Sequence, residues 1–375
     1  MSPCPRKELL SRIALTLVPS VGPVTARKLI TMAGSAREVF QMDRTALEEI
    51  PGIGPRLSGS ILSSRLQEQA ETEMGFLEKH HISAYCFEDA SYPARLKECE
   101  DAPVVLFVKG SAGLNTKRVL SVVGTRQASA YGKELCRKIV LELGTLVGDL
   151  LIISGLAFGI DVIAHRAALE GGIPTVGVLG HGFRNLYPRA HRETAKTMCR
   201  QGALVTDFHS GMGPERNNFL RRNRIIAGMA DATLVVESAL SGGALITASM
   251  ASSYQRDVLA VPGRASDERS KGCNMLIKKN VAALVESAED VLNHLNWEAG
   301  TGTGSLSSGP PASCSPEEKQ ILELIGRHGT LTPGELSRYS GLPVQVALSL
   351  LMQMELKSLV RADPGNLYRA LTIFP

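Results

Sequence analysis

The chain is 375 residues long, 44% hydrophobic and 21% charged, and its 41 Lys and Arg against 37 Asp and Glu leave a net charge of +4. That length exceeds the size at which one hydrophobic core stops growing, so two or three domains are expected. The mild charge excludes polyanion binding through overall balance and confines any such affinity to local clusters.

The first 22 residues, MSPCPRKELLSRIALTLVPSVG, contain no long apolar stretch followed by a small-residue cleavage site, and no run of 18 apolar residues occurs in the chain. A cytoplasmic protein without a membrane segment is expected. Seven cysteines, an odd number with no CxxC pair, fit reduced thiols better than a disulfide framework or a structural zinc site. Near the start, VPSVGPVTARKLI from Val18 and IPGIGPRLSGSIL from Ile50 repeat at an offset of 32 residues. Each copy is a Pro/Gly turn entering an apolar-periodic segment, the pattern of two helices joined by a tight hairpin, and the pair resembles a tandem helix-hairpin-helix (SAM-like) module over residues 1–80. Such hairpins expose backbone N–H groups suited to a phosphate. A purely structural turn is equally compatible, since only Arg27, Lys28 and Arg56 supply charge there.

From about residue 103, β-branched or leucine-rich runs such as VVLFVKG, VLSVVGTR, LLIISGLA and TLVVES alternate with helical stretches through residue 298. This predicts an α/β domain with a mostly parallel, doubly wound sheet over 81–298, with ligands beyond the carboxyl ends of its strands. Three loops stand there. VVGTRQASAYG offers Gly124, Thr125 and Arg126: a backbone that can approach a phosphate, a hydroxyl and a guanidinium. It lacks both G-x-G-x-x-G and a P-loop, so no nucleotide cofactor is expected. IISGLAFGIDVIAH offers Ser154 and Gly155, while its Asp161 and His165, at i and i+4, are expected to serve the helix: Asp161 at its positive start, and His165 packed against it or hydrogen-bonded to it. ESALSGGALITA opens a helix at Ser241, Gly242 and Gly243, a second anion site, and Asn274 in KGCNMLIKKN can join it. His181, His191 and His209 share no metal spacing, and no metal is expected.

The segment RNNFLRRNRIIAG, residues 216–228, places four arginines beside one phenylalanine. Guanidinium groups with an aromatic ring suit single-stranded nucleic acid, arginines following phosphates and the ring stacking on a base. Arg216, Phe219 and one or both of Arg221 and Arg222 are the expected contacts. Asn223 and Arg224 are expected mainly to hold that platform to the following helix, with Arg224 retained among the candidate contacts. Residues 299–315 read as a flexible Gly/Ser/Thr/Pro linker. Beyond it, three helices and a hairpin over 316–375 suggest a winged helix, whose recognition helix carries only Glu355 and Lys357 as charges and therefore suits protein docking or a structural role better than a DNA groove.

The segments VVGTRQASAYG, SGLAFGIDVIAH, FLRRNRIIAG, VVESALSGGALITA, AVPG and GCNMLIK, in order over about 160 residues, resemble the DNA-processing protein A family (DprA, also called Smf). The resemblance implies an extended Rossmann-like domain that binds single-stranded DNA without hydrolysing it. It further implies a homodimer that protects incoming DNA during natural transformation and helps load the RecA recombinase. By motif position it assigns DNA contact to Arg126, Arg216 and Phe219. Two positions depart from the family pattern: Leu220 stands where proline is common, and Asn280 where glycine is common. An enzyme alternative comes from similar sheets in nucleotide hydrolases of the LOG phosphoribohydrolase type. Those carry P-G-G-x-G-T with a nearby catalytic glutamate, whereas SGGALITA with Glu237 four residues upstream of Ser241 lacks that frame.

Overall fold

The computed structural model describes residues 4–63, 65–298, 315–357, 359–363 and 367–370. The chain divides into two compact units, Met1–Gly302 and Thr303–Pro375. The first begins with helices α1 (Arg6–Leu17), α2 (Pro23–Ala33), α3 (Ala36–Val39), α4 (Arg44–Glu48), α5 (Pro55–Ile61) and α6 (Arg65–Lys79). The sequence repeat is visible in their entries: Gly22 and Gly54 are the N-caps of α2 and α5, each followed by a proline in the first turn, where a missing N–H costs nothing. Ile13, Leu15, Leu29, Leu47 and Ile61 close a core that continues into Val105 and Phe107. The charges that left a phosphate site open are partly used internally. Arg27 donates to the carbonyls of Cys99 and Glu100 and lies over the Phe87 ring, and Lys28 donates to the carbonyl of Pro51.

The sheet follows: β1 (Ser83–Cys86), α7 (Ala94–Lys97), β2 (Val105–Gly110), β3 (Arg118–Val123), α8 (Ala130–Leu146), β4 (Leu150–Ser154), α9 (Ile160–Glu170), β5 (Thr175–Val178), α10 (Arg192–Gln201), β6 (Ala203–Thr206), α11 (Arg216–Gly228), β7 (Ala232–Val235), α12 (Gly243–Ser253), β8 (Asp257–Ala260), α13 (Lys271–Lys278), β9 (Ala283–Leu284) and α14 (Ala288–Leu295). Its nine strands run in the order β1-β2-β6-β5-β4-β3-β7-β8-β9. The seven from β6 to β9 are parallel, and β2 joins β1 and β6 antiparallel. The period of two along β3 sends Val119 and Val123 to a core beneath α11, α12 and α13, and Leu120 and Val122 to the opposite core beneath α8, α9 and α14. Both faces are therefore covered, as a parallel sheet of near-continuous apolar strands requires. After β3 the chain winds outward through β4, β5 and β6, then returns to place β7 on the other flank of β3. That reversal opens a crevice at the carboxyl ends of β3 and β7.

In the second unit, α15 (Pro316–His328), β10 (Thr330–Leu331), α16 (Pro333–Ser340), α17 (Val344–Leu356), β11 (Val360–Asp363) and β12 (Leu367–Ala370) form a winged helix with strand order β10-β12-β11. The expected helix start is present: Ser315 and Glu318 cap α15 reciprocally with proline in its first turn. The linker expected over 299–315 lies outside the described residues apart from that serine. Helix α17 exposes Val344, Val346, Leu348 and Met352, and Lys357 pairs with Glu318 at 2.7 Å.

Candidate nucleic-acid interface

A cleft of about 370 Å3 lies at the switch point, lined by the loop after β3, the start of α11 and the start of α12. Gly124, Thr125 and Arg126 form one wall, Phe219 and Arg222 a second, and Gly242 and Gly243 a third. Two tight approaches shape it. Gly159, at φ +79°, packs against the backbone of Thr125 and Arg126 where a Cβ would collide, and the N–H of Thr125 donates to the carbonyl of Glu237 at 2.7 Å. The β3 loop is thereby clamped between the loops after β4 and β7. Helix α12 opens at Gly243 without a side-chain cap, so its positive end faces the cleft.

Phe219 is half-buried and two guanidinium groups stand near its ring. Arg126 is 5.8 Å and Arg222 5.9 Å from the ring centroid, and Tyr187 packs at 5.7 Å with its plane tilted by 50°. Arg126, Arg216 and Arg221 are exposed, and among the described residues none of them forms an ion pair. Arg221 instead covers the Phe208 ring at 5.2 Å. Arg216 opens α11, where the helix dipole disfavours a cation. A nearby anion would remove that penalty.

Arg222 behaves differently from its neighbour. It is only 4% exposed, donates to the carbonyls of Gly155 and Val178, and reaches Asn223 Oδ1 at 3.2 Å. Burial pushes its pKa down to about 10. The buried Asp161 accepts from the N–H groups of Gly155 at 3.2 Å and Ala157 at 3.4 Å. Burial raises the pKa of that carboxyl, with Arg222 the main opposing influence. Arg222 and Asp161 both line the cleft, and the guanidinium acts on the carboxylate through its charge and not through a direct bond.

Several expected contacts stand elsewhere. Ser154 is fully buried and donates to the carbonyl of Val122 at 2.6 Å, so its hydroxyl braces adjacent strands beneath the cleft. Gly155 is covered by the Arg222 guanidinium. Arg224 is buried, paired with Asp207 and bonded to the carbonyl of Asp101, because its place on α11 turns it toward the core. Asn274 clamps Gly263, donating to its carbonyl at 2.9 Å and accepting from its N–H at 3.1 Å. Ser241 is exposed two residues before α12 and lies outside the cleft lining. His165 does not bond to Asp161. Its Nδ1 meets Thr175 Oγ1 at 2.7 Å, and burial pushes its pKa down to about 3, so the ring is neutral. Glu237 is buried with its carboxylate engaged by the N–H and hydroxyl of Ser129 at the start of α8. Leu220 lies inside α11, so the position is helical and needs no turn. Asn280 has φ +53°, the left-handed region that glycine and asparagine tolerate. The sequence reading overlooked Tyr187, whose loop carries no motif.

A family described as DNA recombination-mediator protein A matches residues 83–296. A DprA winged helix domain matches 307–366, and a SAM-like helix-hairpin-helix tandem matches 12–65. The chain is 35% identical over 358 residues to Protein Smf of Escherichia coli, covering 93% of each chain. It is 39% identical over 204 residues to DNA processing protein DprA of Streptococcus pneumoniae, covering 54% of this chain and 71% of that one. The solved structure of DprA from Streptococcus pneumoniae is similar with a TM-score of 0.66 at 30% identity, over 78% of this chain and 98% of that one. DNA processing protein A from Helicobacter pylori, solved to describe its single-stranded DNA binding mode, shares the fold at a TM-score of 0.52 and 24% identity, over 57% of this chain and 95% of that one. The nine-stranded sheet, the tandem hairpins, the winged helix and these matches lead to one statement: the chain belongs to the DprA/Smf family of DNA recombination mediators.

Proposed function

We propose that this protein binds single-stranded DNA at the Phe219 cleft and acts, without hydrolysing its ligand, as a recombination mediator. In this reading it works in the cytoplasm as a homodimer, protects incoming single strands during natural transformation and passes them to the RecA recombinase. The observation that carries the DNA reading is the half-buried Phe219 ring in the cleft, with the Arg126 and Arg222 guanidinium groups 5.8 and 5.9 Å from its centroid. Arg216 and Arg221 lie outside the cleft lining, Arg221 over Phe208. A base has a ring on which to stack, and its flanking phosphates have cations. The single-stranded DNA binding mode described for the Helicobacter pylori relative supports the same ligand class. The RecA handover, the dimer and the transformation role rest on family membership.

The test is a titration of a labelled single-stranded oligonucleotide across a salt series. Wild type should bind with steep salt dependence and prefer single strands to duplex, and Arg126→Ala should flatten the slope by about 0.7. Equal binding by wild type and variant would refute the reading. For the handover, the protein should speed RecA filament assembly on a strand already coated with a single-strand-binding protein. Against the hydrolase alternative, the Glu237 carboxylate is engaged at the α8 start, and incubation with nucleoside monophosphates should release no free base.

A further inference from the structure

We propose that a single strand seated at Phe219 continues across the loop after β5 onto a second groove, along the outer face of α10, where its phosphates meet Arg189, Arg192, Lys196 and Arg200. This rests on the DNA-binding reading above and extends it to a surface outside the sequence motifs.

The groove encloses about 830 Å3, against about 370 Å3 for the cleft. Six cationic side chains line it: Lys109, Arg184, Arg189, Arg192, Lys196 and Arg200, with no carboxylate among the lining residues. Arg192, Lys196 and Arg200 follow at i, i+4 and i+8, so they form one row on α10. Like charges so spaced oppose helix formation, and a row retained against that opposition points to a polyanion. Local neutralisation is partial, Glu193 being, among the described residues, the one carboxylate whose charge the row on α10 is shown to share. Lys196 pairs with Glu193 at 2.8 Å in a highly exposed bridge, and Arg184 lies over Phe76 with Nε donating to Ser210. Among the described residues Lys109, Arg189, Arg192 and Arg200 form no ion pair.

The floor is apolar, contributed by Leu179, Phe183, Leu186 and Leu204. A duplex presents phosphates and keeps its bases stacked inside, whereas a single strand offers both a phosphate backbone and free base faces, so cations over an apolar floor match the single strand. One loop joins the two sites. Tyr187 packs against Phe219, while Arg184, Leu186 and Arg189 of the same loop line the groove. A third groove of about 470 Å3 leads from Arg126 past Lys133 and Arg166 to Ala190 and His191, so the intervening surface is basic too.

The test uses the full chain carrying Arg192→Gln, Lys196→Gln and Arg200→Gln together, glutamine being a good helix former at exposed positions. Binding is measured over a salt series with labelled oligothymidylates of about 5 and about 20 nucleotides. A control carries Lys7→Gln, Lys117→Gln and Lys138→Gln, exposed lysines away from both grooves whose loss changes net charge equally. The expected result is weaker binding of the long strand, with its salt slope reduced by up to about 2 from three contacts at about 0.7 each, and unchanged binding of the short strand. The proposal is overturned by any of three results: the triple variant binds the long strand like wild type, it loses the short strand equally, or the control loses as much. Equal loss of a duplex of the same length would overturn the choice of a single strand. If wild type binds neither length, the DNA-binding reading itself fails. If wild type binds both and the triple variant is indifferent, only this inference fails.

Discussion

Arg222→Ala removes a buried cation that binds two buried carbonyls and lowers the pKa of the buried Asp161. The guanidinium donates to Gly155 O at 2.7 Å, to Val178 O and to Asn223 Oδ1, and it is the main influence holding down the Asp161 pKa. A buried acceptor that loses its charged donor costs about 1–3 kcal/mol, and the carbonyls of Gly155 and Val178 share one guanidinium, so their costs overlap and are not simply summed. Asp161 loses a favourable nearby charge as well. A loss of about 2–4 kcal/mol at neutral pH is therefore expected. Guanidinium unfolding followed by Trp297 fluorescence measures it cleanly. Trp297 is the single tryptophan of the chain and packs against the sheet core of the unit Met1–Gly302, so the winged-helix unit does not contribute to the signal. Adding Asp161→Asn should recover part of the loss, since the amide keeps an acceptor and carries no charge. The pH dependence has a definite sign. Asp161 has its folded pKa raised by burial, so it imposes no penalty below the ordinary aspartate value of about 3.9, and the penalty grows as pH rises through the folded value. Without Arg222 that value moves higher still, and the deficit of the variant should shrink toward acid pH. A loss below about 1 kcal/mol, or a double variant no more stable than Arg222→Ala, would refute this account of Arg222 and Asp161.

Phe219→Ala should weaken oligonucleotide binding by about 1–3 kcal/mol, the value of one base stacked on a ring, while leaving the salt slope unchanged; titration at two salt concentrations separates this from a lost phosphate contact. Gly155→Ala should act through Arg222, since the new methyl would stand 2.5 Å from a guanidinium nitrogen, and a normal unfolding midpoint would contradict it. Glu237→Gln leaves the N–H and hydroxyl of Ser129 with a neutral partner and should cost about 1–2 kcal/mol in the same unfolding assay. His165 stays neutral when folded because burial lowers its pKa to about 3. Its stabilising contribution is complete above the ordinary histidine value of about 6.5 and is lost as pH falls from there toward 3. His165→Gln should accordingly flatten the acid limb of the stability profile.

The sequence by itself determined the parts that depend on local pattern. Strand-length apolar runs alternating with helices specify a covered parallel sheet, glycines paired with prolines specify the two hairpin entries at Gly22 and Gly54, and Ser315 before Pro316 specifies the start of α15. It also put Gly124, Arg126, Phe219 and Gly243 at strand ends or helix starts, and the folded chain gathers these around one cleft. Helical position then decided what composition could not. Within the arginine-rich segment, the turn of α11 sends Arg216 and Arg221 to solvent, Arg222 inward to the carbonyls of Gly155 and Val178, and Arg224 inward to Asp207, although all four read alike in a string of letters. Ser154 and Asn274 lie in equally suggestive loops, yet their polar groups close internal hydrogen bonds because the backbone groups of Val122 and Gly263 lie within reach. The row of cations on α10 carries no motif at all. It acquires meaning only when β2, the loop after β5 and α10 converge, because a field strong enough to hold a phosphate chain is a sum over residues distant in sequence and adjacent in space.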